Sequence, residues 1–362
     1  MKNLFIINTP FHLLTCFILS KSIFRSDDNY LALIHPHSYE KWTQSHLMEY
    51  MATTKCGYKA VFPLINWLSH KNKTKSYHEQ AQSVKNSIGK LGINNVFMGS
   101  DIDPQNQLLA AVLGKTEYYR YEDGLFSYYN EDRRRPKTHE LFHKLKLWLL
   151  KRSAGIKSDM YINTSTAGDS RAGIADYMYA PELLQRYSPR TIKIDNNMIK
   201  LAITDLTQHD LLQETFTERS ILFLSQPLVE KKWYTIEQEL TCLRKLIEPF
   251  SDGTVLLYKP HPNDSSYKID FYRQHFPQMR LYDDIEPAEL LFVREKKLMA
   301  VASYQSTALM YPDKFAGRPF KSISLADFGH SPILPVYKTI MEKSGVYFPQ
   351  TAEDIVNYIR KD

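Results

Sequence analysis

The sequence predicts an α/β chain built as two doubly wound, Rossmann-like domains facing a central cleft. Three observations carry that expectation. Short apolar runs alternate with stretches of helical apolar spacing through the first part of the chain. A polar, less periodic stretch at 191–218 interrupts them, and the same alternation then restarts. Strands separated by helices imply parallel sheets, because a parallel pair needs a crossover element where an antiparallel pair needs only a turn. At 362 residues the chain exceeds one average domain and fits two.

The elements follow in order. A buried strand at 4–7 leads through a loop at Asn8, Thr9 and Pro10 into a helix from about Phe11. The apolar run to Phe24 is broken by those residues and by His12, so it falls short of the roughly 18 apolar residues of a membrane span. A cytoplasmic location is therefore expected. Strands are predicted at 30–34, 61–63, 95–98 and 117–121, with helices at 76–91 and 104–113. The segment 133–152 is different: Arg133, Arg134, Arg135, Lys137, Lys144, Lys146, Lys151 and Arg152 stand against one acid, Glu140. Leu141, Phe142, Leu145, Trp148 and Leu149 recur there at helical spacing, which predicts a basic amphipathic helix. Beyond the polar passage come a strand at 220–224, a helix at 236–247, a strand at 254–258, a helix at 271–275 and strands at 280–282 and 297–302. A helix is expected from about Ser306, and another at 352–360 closes the chain. The expected limits are 1–205 for the first domain and 215–348 for the second, with 349–362 packing back toward the first.

Composition narrows the classes. Hydrophobic residues make up 43% and charged residues 24%, as a packed core requires. Cys16, Cys56 and Cys242 have neither paired nor metal-ligand spacing, which fits a reducing compartment. The formal charge of +6 favours anionic partners without choosing among them. Nucleic acid is not expected, because no helix-turn-helix, zinc-finger or RNP-like pattern accompanies the charge.

Four short signals sit just beyond strand ends, where ligands of open α/β sheets bind. Glu122-Asp123-Gly124 follows the strand at 117–121 and offers a carboxylate as general base, although the same tripeptide also makes an ordinary turn. Lys259-Pro260-His261-Pro262 follows the strand at 254–258. Its prolines stiffen the exit, its His can donate to or protonate a phosphate oxygen, and Lys259 adds positive charge. Ser306-Thr307 opens the next helix, either as an anion site or simply as an N-cap. Glu286 and Glu289 lie at the start of a further helix, where an acid can accept from ribose hydroxyls or merely suit the first turn. A competing signal, Asp101-Ile102-Asp103, matches the DxD pattern of metal-dependent transferases, but the tripeptide is common.

In this order the signals resemble those of the bacterial sialyltransferases: an acidic pair followed by Gly, a His-Pro pair and a Ser-Ser/Thr pair. The phrases at 121–128 (YEDGLFSY) and 221–230 (ILFLSQPLVE) look most like the capsular polysialyltransferase branch, with the lipooligosaccharide sialyltransferases as neighbours. The resemblance implies a GT-B fold, CMP-sialic acid as donor, inversion at the anomeric carbon, no cofactor and no required metal. It implies Glu122 as general base with Asp123 in support, the reverse order staying open. His261 would contact or protonate the CMP phosphate, Ser306 and Thr307 would bind it, and Glu289, rather than Glu286, would hold the ribose or cytosine. Lys259, Pro262 and Gln226 join these as donor-binding residues.

The partners so implied are CMP-sialic acid and an anionic glycan acceptor, such as oligo- or polysialic acid of a capsule or a lipooligosaccharide terminus. Arg133, Arg134 and Arg135 are expected to meet that glycan or the inner membrane surface, and contact with capsule-assembly proteins is a further expectation. The rival readings are a GT-B enzyme using another CMP- or UDP-sugar, and a non-catalytic glycan-binding protein on the same fold.

Overall fold

The computed structural model describes residues 1–35, 44–65, 73–129, 172–250, 253–277 and 279–360, with isolated positions between 141 and 170. The chain divides into two compact units, Met1–Asp205 and Leu206–Asp362. The Arg133–Arg135 cluster lies outside the described residues.

The first unit is organised on seven parallel strands: β1 (Lys2–Ile7), β2 (Asp28–His35), β3 (Ala60–Ile65), β4 (Asn95–Met98), β5 (Tyr118–Tyr121), β6 (Gly173–Met178) and β7 (Thr191–Lys193). Their order across the sheet is β3-β2-β1-β4-β5-β6-β7. The order turns at β1, so the crevice between the carboxyl ends of β1 and β4 is a topological switch point. Apolar runs such as Leu-Phe-Ile-Ile in β1 are buried throughout, as expected of a strand covered on both faces. Leu4, Ile6, Val96, Met98, Leu109 and Tyr118 are among the residues of its core.

The second unit carries five parallel strands: β8 (Ser220–Leu224), β9 (Val255–Lys259), β10 (Met279–Leu281), β11 (Leu298–Ser303) and β12 (Lys321–Ser324). They are ordered β10-β9-β8-β11-β12, which puts a second switch point between β8 and β11. The helix Ile236–Ile247 after β8 begins with a capping box, Thr235 accepting from the Gln238 N–H and Gln238 from the Thr235 N–H. Two parallel-sheet α/β units are the GT-B plan, as the sequence predicts.

Several elements differ from expectation. Strands β6, β7 and β12 and the helix Asn196–Gln208 stand where the sequence suggested none, β7 and that helix within the presumed polar passage. The helix expected from Ser306 is a 3-10 turn, Thr307–Met310, followed by the five-residue helix Pro312–Ala316. The closing helix Ala352–Arg360 was expected to pack toward the first unit. Its Ile355 is buried in the second unit's core, with Val356, Tyr358 and Ile359 packed beside it. No helix among the described residues is long and apolar enough to cross a membrane.

Candidate functional site

In the first unit, three loops meet past the carboxyl ends of β1, β4 and β5. After β1, Thr9 caps the helix Pro10–Lys21 by accepting from the His12 N–H, and Pro10 opens that helix. This places the buried His12 ring over the end of the sheet, edge-on to Tyr121 at 5.1 Å. His12 Nδ1 accepts from the Asn8 N–H at 3.4 Å, which leaves the proton of the neutral ring on Nε2. Nε2 lies 2.6 Å from Asp123 Oδ1 and donates to it. Gly99, after β4, makes this approach possible: a Cβ there would stand 2.6 Å from the His12 ring.

The two adjacent acids have different surroundings. The Glu122 residue is 1% exposed. Its Oε2 accepts from the Tyr128 hydroxyl at 2.5 Å and from the Tyr179 N–H at 2.9 Å. These bonds tie the loop after β5 to the end of β6. The Asp123 side chain is 29% exposed, with its backbone N–H held by Ser127 Oγ at 2.6 Å. Gly124 turns the chain at φ +75°, a region that favours glycine. Of the pair, Asp123 is the carboxylate that an incoming hydroxyl can reach.

The DxD reading finds other employment for both acids. Asp101 is buried, pairing with Arg120 at 3.0 Å and accepting from the Tyr118 hydroxyl and the Gly168 N–H. Asp103 caps the helix Pro104–Val112 through the Gln105 and Asn106 N–H groups. Burial pushes its carboxyl above the usual range, an unfavourable setting for a charged ligand.

In the second unit, His261 sits half-buried past β9. Its N–H donates to Asp264 Oδ2 at 3.0 Å, and its Nδ1 accepts from the Asn263 N–H at 3.1 Å. The Nε2 of the neutral ring therefore carries the proton. Burial holds the imidazole below its ordinary value, the neighbouring Asp264 opposing this only in part. Asp264 is itself anchored by buried Lys268, 3.2 Å away. The same ammonium reaches Glu239 at 2.9 Å, Ser225 Oγ at 3.1 Å and the Gln226 carbonyl at 3.0 Å. Gln226 Oε1 in turn accepts from the Gln305 N–H at 3.2 Å, linking the loops after β8 and β11 across the switch point. Ser306 and Thr307 follow directly, both half-buried. Pro262 is exposed on the His261 turn.

Lys259, at the end of β9, lies half-buried beside the acids of the next loop. Its ammonium donates to the Asp284 carbonyl and lies 4.7 Å from the centre of the Tyr282 ring. Burial pushes it down to about 8, against the pull of Asp284, Glu286 and Glu289. Glu286 is taken up by the Tyr282 hydroxyl at 2.7 Å and Arg294 at 3.0 Å. Glu289 is buried in the first turn of the helix Ala288–Arg294, near enough to Lys259 to act on its charge.

Sequence reasoning missed His12, Gly99, Asp264 and Lys268. His12 was legible only as a break in an apolar run, although its place past a strand's carboxyl end is the signal that could have found it. Lys268 carries no motif at all.

Comparison with known proteins adds the following. A family model described as alpha-2,8-polysialyltransferase matches residues 3–323. A Haemophilus influenzae protein (strain Rd), described as uncharacterized, is 27% identical over 222 residues, covering 60% of this chain and 68% of its own. The UDP-GlcNAc 2-epimerase of Methanocaldococcus jannaschii, solved with UDP-GlcNAc and UDP, superposes with a TM-score of 0.58 at 11% identity, over 100% of this chain and 94% of that one. The UDP-GlcNAc 2-epimerase of Neisseria meningitidis, bound to UDP-GlcNAc, gives 0.55 at 13%, over 99% and 90%. At such identities the two epimerases speak for the fold alone. The family match runs through both sheets and takes in every motif at the strand exits, and on it the chain belongs to the alpha-2,8-polysialyltransferase family of glycosyltransferases.

Proposed function

We propose that the chain transfers sialic acid from CMP-sialic acid to a hydroxyl of an anionic glycan, with inversion and without a metal. The observation that carries this reading is the Asp123 carboxylate, solvent-accessible at the switch point and held by buried His12. Asp123 takes the proton as the acceptor oxygen attacks the anomeric carbon. The bond from that carbon to the phosphate oxygen breaks, its electron pair leaves with CMP, and attack from the opposite face inverts the centre. His12 fixes the base through Oδ1. Glu122, which the family resemblance favours as base, serves in this reading to anchor the loop.

His261 offers its Nε2 proton to the departing phosphate, and Ser306, Thr307 and the adjoining backbone N–H groups supply further donors. Glu289 is assigned the ribose or cytosine, as the family resemblance implies. Metal independence is supported by the structural duties of Asp101 and Asp103.

The test offers the protein CMP-sialic acid, CMP-Kdo and UDP-sugars against lactoside and oligosialic acid acceptors. CMP release is expected with CMP-sialic acid alone, undiminished by EDTA, and product length separates single transfer from polymerisation. Release from a UDP-sugar, or loss of activity with chelator, would overturn the donor or the metal assignment respectively.

A second expectation follows from His261. Burial lowers its basicity and its Nδ1 already accepts from the Asn263 N–H, so the ring meets a phosphate as a neutral donor through Nε2. CMP binding should thus take up no proton at His261, and calorimetry in buffers of different ionisation enthalpy should give the same uptake for the parent and His261→Ala. The variant should nonetheless bind CMP more weakly, by about 1.5–3 kcal/mol for one hydrogen bond to a charged group. Equal affinity in the variant would remove His261 from the phosphate.

A further inference from the structure

Large apolar side chains exposed to solvent are scattered singly over most of the described residues: Met1, Ile23, Tyr187, Leu201, Trp233 and Tyr267. One group is different. Leu141, Phe142, Leu145, Trp148 and Leu149 occupy helical positions and are 71%, 68%, 52%, 52% and 52% exposed. Their spacing of i, i+1, i+4, i+7 and i+8 places them within one stripe of a helix. Arg152 is helical too, its guanidinium 5.2 Å from the centre of the Trp148 ring. A stripe of this size left in water is a standing cost, and a soluble chain rarely keeps one without a partner.

Charge identifies the partner. The sequence from 133 to 152 holds eight Arg and Lys residues and one acid, Glu140, against a net +6 for the whole chain. An apolar protein partner would gain little from that excess, and a second copy would bring its own eight cations into repulsion. A bilayer with anionic headgroups answers both features, taking Leu, Phe and Trp into its interface while phosphates meet the cations.

We propose that Leu141, Phe142, Leu145, Trp148, Leu149 and Arg152 form an interfacial docking surface for anionic lipid, which lies on the membrane without crossing it. The apolar stripe inserts to the depth of the acyl boundary, and Trp148 sits at headgroup level with Arg152 beside it. This surface is independent of the donor chemistry and acts whichever sugar is transferred.

The test sediments the full chain with vesicles of phosphatidylglycerol and phosphatidylcholine, and with phosphatidylcholine alone. Binding is expected to the mixed vesicles, to weaken with added salt, and to be at least about tenfold lower for Leu145→Glu combined with Leu149→Glu. Because both positions are exposed, the variant should melt and bind CMP as the parent does. As a second readout, lipids brominated on the acyl chain should quench Trp148 fluorescence, and the quenching should vanish in Trp148→Phe while that variant still sediments. Three outcomes overturn the proposal: no vesicle binding, equal binding to neutral vesicles, or full binding by the double variant. A wild-type dimer that the double variant dissociates, without lipid binding, would assign the stripe to a second copy instead.

Discussion

Replacing Asp123 with asparagine should lower kcat by about 10²–10⁴-fold, while the donor KM and the melting temperature stay near those of the parent. The amide keeps the shape and can still accept the His12 Nε2–H bond, but it cannot take a proton from the acceptor. Glu122→Gln is expected to behave differently. Its buried carboxylate oxygen accepts from the Tyr128 hydroxyl and the Tyr179 N–H. Disturbing such a pair costs about 1–3 kcal/mol of stability and leaves transfer largely intact at a temperature where the variant is folded. Gly99→Ala supplies an independent check that changes no titratable group. Its Cβ would stand 2.6 Å from the His12 ring and must push it off Asp123. A fall in kcat with unchanged donor KM is expected there as well. Should Asp123→Asn retain full activity, or folded Glu122→Gln lose it, the base would be Glu122.

The contrast between these two acids marks how far the sequence could be read. Both were legible as candidates because an acidic pair and Gly follow a strand end. Which one faces outward depends on what else comes to the loop, and Tyr179 is 57 residues away on a strand exit not foreseen. The strand β6 escaped notice because Asp176 interrupts its apolar run, and that Asp is buried against Arg120 of the neighbouring strand and Arg186. Strands β7 and β12 span three and four residues, too short for alternation to register. The strands β1, β2, β8 and β9 were plain, since each is a run of Val, Ile, Leu, Phe or Tyr between breaks. His12 lies 111 residues from Asp123, and no local pattern joins them. Topology does, by bringing the exits of β1, β4 and β5 together at the switch point.

The same dependence on distant partners governs the largest stability effect expected in the first unit. Arg120 on β5 is buried between two carboxylates. It holds Asp176 through Nε at 2.5 Å and Nη2 at 3.0 Å, and Asp101 through Nη1 at 3.0 Å. Arg186 adds a second cation to Asp176 at 3.2 Å. Gly173 leaves the space, since a Cβ there would stand 2.5 Å from the Arg120 guanidinium. Arg120→Met fills a similar volume yet takes the guanidinium from buried Asp101 and leaves Asp176 to Arg186, so a loss of about 3–5 kcal/mol is expected in urea unfolding. That is a large share of the roughly 5–15 kcal/mol of an ordinary domain. The pH dependence follows from Asp176. Burial alone would raise its carboxyl, but Arg120 and then Arg186 outweigh burial and hold it below the usual 3.8. A depressed carboxyl contributes stability above its unfolded value and loses it as pH falls through the folded one. The gap between parent and Arg120→Met should accordingly be widest near neutrality and narrow as pH falls below 3.8, where Asp176 takes up a proton in the parent too and no longer needs the arginine. A gap below about 1 kcal/mol, as for an exposed pair, or one that stays constant into acid, would mean that the packing of the Arg120 stem, and not its charge, holds these strands together.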